Sequence, residues 1–123
     1  MNKLTPEQLD MINRLQPFFK ERMGEWKHGD PCILNGNEDV YCTYCVKGNI
    51  YNDSVYKKAI LFPKVFDWTY PQRSLWCMVD WNKFYIEEQH GAIDVHKNTD
   101  EILCLEYDPF TALLKALCEQ EGV

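Results

Sequence analysis

Cys42-Thr43-Tyr44-Cys45 places two soft ligands two residues apart, and thiolates at that spacing can hold zinc or exchange electrons. The surrounding residues argue against both. Val40 to Val46 is rich in β-formers, and on a single strand side chains three apart point to opposite faces, so the two sulfurs would not meet at one ion. No second CxxC occurs in the chain, and redox pairs open a helix whose dipole lowers the thiol pKa. Packing cysteines are the favoured reading, with a zinc-stabilised module through Cys42 and Cys45 kept as one alternative. His90, Asp94 and His96 are a second candidate, because two imidazoles and a carboxylate suffice for a divalent cation, and Asp94 and His96 share a face if they lie on a strand. Surface hairpins carry such polar faces routinely, and His90-Gly91 reads as a turn. The chain contains no Gly-x-Ser-x-Gly elbow, phosphate-cradling Gly-rich loop or His-Glu-x-x-His helix. Glu87-Glu88 lacks a second wall for acid–base work. No catalytic residue, metal ligand or cofactor is assigned, and the expectation is a protein that is not an enzyme.

Aromatic residues are the remaining chemistry. Phe66, Trp68, Tyr70, Trp76, Trp81, Phe84 and Tyr85 fall in a short span, more than one helix and its flanks can point inward. Three readings stay open for them: core, protein interface, or a stacking site for a nucleotide or other flat ligand. Trp68, Tyr70, Trp76 and Trp81 are the residues assigned to the interface, with another protein, or a second copy of the chain, as partner.

Composition narrows the class. A length of 123 residues suits one domain; 46% hydrophobic and 26% charged residues are ordinary globular proportions. A formal net charge of −6 repels nucleic-acid phosphates, so nucleic-acid binding is disfavoured, while a basic partner would be attracted. No apolar run reaches transmembrane length, and Met1 to Pro6 has no signal-peptide core. A cytoplasmic location without membrane attachment is expected, with the six cysteines reduced.

The elements that position these residues are marked by local signals. Thr5, Pro6 and Gln8 form a capping box, Leu4 and Leu9 a staple, and Leu9, Ile12, Leu15, Phe18 or Phe19, and Met23 an apolar stripe interrupted at Pro17, where a kink or break is expected before Gly24. β-formers cluster at Pro31–Leu34, Val40–Val46 and Val55–Phe62, with a turn at Asn35-Gly36-Asn37, a loop from Gly48-Asn49 to Asp53, and a stop at Pro63. Between Pro71 and Phe84 helix and strand signals compete, and a short helix is favoured through Leu75, Met78 and Val79. Tyr85-Ile86 is a further strand or the entry to a loop over Glu87 to Gly91. Ala92–His96 and Ile102–Tyr107 read as a β-hairpin; Asp108-Pro109 then starts a helix that buries Phe110, Leu113, Leu114, Leu117 and Cys118 and stops at Gly122.

Three segments resemble small uncharacterised bacteriophage and prophage proteins: Trp26-Lys27-His28-Gly29-Asp30, Leu61-Phe62-Pro63, and the terminal hairpin followed by Asp108-Pro109-Phe110-Thr111-Ala112-Leu113-Leu114-Lys115-Ala116-Leu117 and Gln120-Glu121-Gly122. Members of that group often open the last helix with Thr-Pro-Glu-Glu. Here Asp108-Pro109 matches, Phe110-Thr111 replaces the acidic pair, and Phe66 to Trp76 departs from the pattern. The resemblance implies phage origin and action inside a host cell, and gives no residue a role. The expected fold is α+β over 1–123: a kinked N-terminal helix, an antiparallel sheet of four or five strands, a short middle helix, and a C-terminal hairpin followed by a helix packed on the sheet. The expected function is that of a phage accessory protein that acts by binding a host or phage protein, with inhibition of a host defence or metabolic factor as the concrete form.

Overall fold

The structure, a computed structural model, describes residues 3–25, 27, 29–33, 40–42, 45–46, 49–50 and 59–123. The expected turn at Asn35-Gly36-Asn37 lies outside the described residues, as does the start of the strand expected over Val55–Phe62. The fold is mixed α+β, and the chain gathers into two compact units, Met1–Lys64 and Val65–Val123.

The first unit begins with α1 (Pro6–Arg14), which the capping box sets: the Gln8 N–H donates to Thr5 Oγ1 at 3.1 Å and the Thr5 N–H to Gln8 Oε1 at 2.9 Å. The expected interruption is present, but it falls at Leu15, ahead of the proline. A new helix, α2 (Gln16–Met23), starts there and holds Pro17 in its first turn, where an N–H has no helical acceptor to lose. Met11, Ile12, Leu15, Phe19 and Met23 are buried along one continuous stripe. Gly24 ends it at φ +63°, a left-handed conformation that glycine adopts without a Cβ penalty.

Three short antiparallel strands follow, in the order β2 (Val40–Cys42), β1 (Pro31–Ile33), β5 (Ile60–Leu61), and Gln16 of α2 donates to the Leu61 carbonyl at 2.9 Å. The run Val40–Val46 is not one strand. Cys42 ends β2, whereas Cys45 opens β3 (Cys45–Val46), which pairs with β4 (Asn49–Ile50) in a separate two-stranded ribbon. Asn49 and Ile50 are therefore strand residues, where the sequence suggested a loop from Gly48-Asn49 to Asp53; the other residues of that loop lie outside the described ones.

In the second unit, a 3-10 turn (Pro71–Arg73) leads into α3 (Leu75–Met78), with Leu75, Met78 and Val79 buried as the helical reading of that segment requires. Then come β6 (Phe84–Gln89), β7 (Ala92–Lys97) and β8 (Ile102–Glu106), antiparallel in that order. The loop expected over Glu87 to Gly91 shrinks to two residues: β6 runs on to Gln89, and His90 (φ +52°) with Gly91 (φ +79°) forms the turn. Two consecutive positive φ values match the right-handed twist of the strands, which outweighs the weak β preference of Glu and Gln.

The final helix, α4 (Pro109–Glu121), starts and stops where the sequence indicates. Asp108 accepts from the Phe110 and Thr111 N–H groups at 3.2 and 3.4 Å, and Gly122 closes it at φ +70°. Phe110, Leu113, Leu114, Leu117 and Cys118 are all buried. α4 packs on β7 and β8, where Lys115 pairs with Glu106 and Glu119 pairs with Lys97 at 2.7 Å. Among the described residues the strands thus form three antiparallel sheets of three, two and three strands, where the sequence suggested one of four or five. Local patterning marks where a strand lies but not which strands share a ladder.

Candidate functional site

The aromatic span is held outward by hydrogen bonds from polar neighbours. Asp67, 7% exposed, accepts the N–H groups of Thr69 and Tyr70 at 2.9 Å each, while its own N–H donates to Ser74 Oγ at 2.6 Å. The Trp76 N–H reaches the Val65 carbonyl at 3.2 Å. These bonds lay the 65–70 loop along the start of α3, so the loop aromatics and those of α3 lie on neighbouring stretches. Gln120 of α4 fixes the other end of α3, accepting the Asp80 N–H at 2.6 Å and donating to the Met78 carbonyl at 3.0 Å.

On this frame, Phe66 and Trp68 pack with ring centroids 4.6 Å apart, and Trp76 and Trp81 do the same at 4.6 Å. Trp68 is 87% exposed, Trp76 44% and Phe66 37%. Trp81 is half-buried and its indole N–H donates to the Trp76 carbonyl at 2.8 Å; Tyr70 is also half-buried. Of the four residues assigned to an interface, Trp68 and Trp76 present the most surface, and Trp81 buttresses Trp76. Phe66 joins them, and the frame of Asp67 and Ser74 could have been suspected only from their position beside the aromatics.

The histidine candidates are not brought together. His90 is exposed at the hairpin turn, whereas Asp94 and His96 are buried on β7. Among the described residues, no group of three His, Cys, Asp or Glu side chains stands at metal-binding geometry. Cys42 and Cys45 lie on strands of different sheets, so the argument from opposite faces of one strand does not apply to them; their side chains lie outside the described residues. Cys104 is half-buried in β8, and that burial raises its thiol pKa, which disfavours the reactive thiolate.

Strand register divides the C-terminal sheet into two faces. One carries Phe84, Val95, Cys104 and Glu106 towards α4; the other carries Tyr85, Glu87, Asp94, His96, Ile102 and Leu105. On this second face Tyr85 and His96 stack with centroids 4.7 Å apart and planes 3° from parallel. Ile102, Leu105 and Tyr107 are 62%, 56% and 76% exposed. The sequence reading missed these three as surface residues. Ile102 to Leu105 contains no polar residue, so period-two alternation has nothing to show which side is wet, and the residue between Ile102 and Cys104 is a bulge that shifts the phase.

A depression of about 320 Å³ lies beside Lys83, Phe84, Lys97 and Glu119. Lys97 there already contacts Glu119 at 2.7 Å and Glu101 at 3.3 Å, and those bonds raise its pKa. No protein-family model matches the chain, and no curated protein or solved structure matches it.

Proposed function

We propose that this is a non-enzymatic accessory protein, of phage or prophage origin, that works in the host cytoplasm by docking Trp68 and Trp76, with Tyr70 and Trp81 beside them, onto another protein. Inhibition of a host defence or metabolic factor is the concrete form of that action. One observation carries the reading: a tryptophan 87% exposed, next to a hydrogen-bonded frame that leaves a second one 44% exposed. Leaving such rings in water forfeits burial worth about 1.5–3 kcal/mol for a large apolar side chain, and Trp and Tyr are the favoured anchors at interfaces. An acidic chain of net charge −6 resists indiscriminate aggregation while a specific contact forms. The stacking alternative has less support, because within each ring pair the planes are tilted by 57° and 38° and leave no parallel slot for a flat ligand.

The test is capture of a partner, or self-association in light scattering, by wild type against Trp68→Ala and Trp76→Glu. Both variants should keep the fold and lose the association. Association that persists in both, or a wild type that is monomeric and captures nothing, refutes the reading. Metal analysis of untagged protein tests the zinc alternative: the expected result is no stoichiometric zinc and a melting temperature unchanged by EDTA, and one zinc per chain that Cys42→Ser or Cys45→Ser abolishes would establish the module through those two residues.

A further inference from the structure

The sheet face turned away from α4 holds an arrangement that packing alone does not account for. Glu87 and Asp94 are direct cross-strand partners, and like charges in that position destabilise an antiparallel pair. Asp94 is only 7% exposed, and its Oδ1 is buried with no hydrogen-bond partner among the described residues. A buried carboxylate oxygen left in that state carries an uncompensated desolvation cost. His96, 8% exposed on the same face, likewise has both ring nitrogens buried and unbonded; its Nε2 stands 3.6 Å from Glu87 Oε2, outside hydrogen-bond reach. No lysine or arginine occupies this face on β6, β7 or β8.

The negative character extends to the edge of the face. The Tyr85 hydroxyl donates to Asp100 Oδ1 at 2.8 Å, and that bond, with burial and the charges of Asp100 and Glu87, raises the phenol's pKa. Leu105 faces Asp94 across the ladder and exposes apolar surface, as do Ile102 opposite His96 and Tyr107 just past the end of β8. Among the described residues the face therefore combines a buried acceptor lacking its donor, two opposed carboxylates with only the His96 imidazole near them, and an apolar margin lacking cover.

We infer that this face binds an arginine-bearing segment of a protein partner, with the guanidinium seated on Glu87 and Asp94 and the segment's apolar flanks on Ile102, Leu105 and Tyr107. A guanidinium suits the site better than an ammonium because its planar fork can donate to two carboxylates at once and stack on the Tyr85–His96 pair. A bare metal ion is disfavoured by the lack of three ligands in reach among the described residues. A second copy of the chain is disfavoured because face-to-face pairing would set two acidic pairs against each other. The surface is separate from Trp68 and Trp76, and the inference stands whether or not those residues dock a partner.

The test is an NMR titration of the full chain with three acetylated, amidated pentapeptides, Leu-Arg-Leu-Arg-Leu and its lysine and glutamate counterparts. The expected result is saturable shifts at Glu87, Asp94, His96 and Leu105 with the arginine peptide. Binding should be weaker for lysine and absent for glutamate. Glu87→Gln and Asp94→Asn should each weaken the arginine peptide by about tenfold or more, the size expected for a close charge pair, with the rest of the spectrum unchanged. Trp76→Glu should bind the peptide as wild type does, which separates this site from the aromatic one. Shifts that map elsewhere, equal binding of all three peptides, equal binding of arginine and lysine, or indifference to both carboxylate variants would overturn the inference.

Discussion

Asp94 is a residue whose chemistry the fold constrains without satisfying. Its Oδ1 lacks a partner and its neighbour across the ladder is Glu87, so neutralising it should help the free protein rather than harm it. Asp94→Asn is expected to raise stability by about 0.2–1 kcal/mol, the range for relieving a like-charge cross-strand pair, as measured by urea denaturation. A loss of stability would mean that Asp94 is an accepted partner in the folded chain. Tyr85 offers a second measurement at the same scale. Its raised pKa means that the folded state holds the phenolic proton more tightly. The associated stabilisation is complete below the ordinary tyrosine pKa and is lost as pH rises through the folded value. Asp100→Asn removes the acceptor's charge and should return the Tyr85 titration towards the ordinary value, read from its ring resonances.

At the level of elements, α4 is held by signals of known size. Removing its cap with Asp108→Ala should cost about 0.5–2 kcal/mol, because two backbone N–H groups and the Thr111 hydroxyl lose their acceptor. Leu114→Ala should cost about 2–5 kcal/mol, since Leu114 is fully buried and the cavity would lie within the layer that packs on β7 and β8. Equilibrium unfolding of both variants checks the pair; a Leu114→Ala loss below about 0.5 kcal/mol would mean that the helix does not pack through that face. α4 was legible residue by residue because cap, proline, apolar period and terminal glycine agree over 108–122, whereas the β7–β8 hairpin was legible in its place, to within a residue at the strand ends, but not in its bulge or its exposed face. β3 and β4 were not, because a two-residue strand is too short to show a period and depends on its partner for its existence.

For the whole molecule, the division at Lys64 and Val65 carries the main prediction. The second unit contains a sheet, the helix that covers one of its faces, and the Asp67–Ser74 and Gln120 bonds that fix α3, all within 65–123. A fragment of residues 65–123 should therefore give a dispersed NMR spectrum with protected amides in β7. Its stability should be marginal, as domains of about 60 residues are. A fragment with random-coil shifts would show that this unit needs the first sixty-four residues to fold.

Sequence alone was enough to locate α1, α4, the C-terminal hairpin and the apolar stripes, because each is specified by contacts between residues a few positions apart. It was also enough to isolate the aromatic span, since composition does not depend on conformation. Which aromatics meet water was settled by long-range bonds such as Trp76 to Val65 and Gln120 to Met78, whose partners carry no mark of one another in the chain. The opposition of Glu87 and Asp94 likewise depends on strand register, and register here follows from a two-residue turn that the sequence allowed to be longer. Side-chain type is local information; exposure and pairing are set by the residues that fold against it.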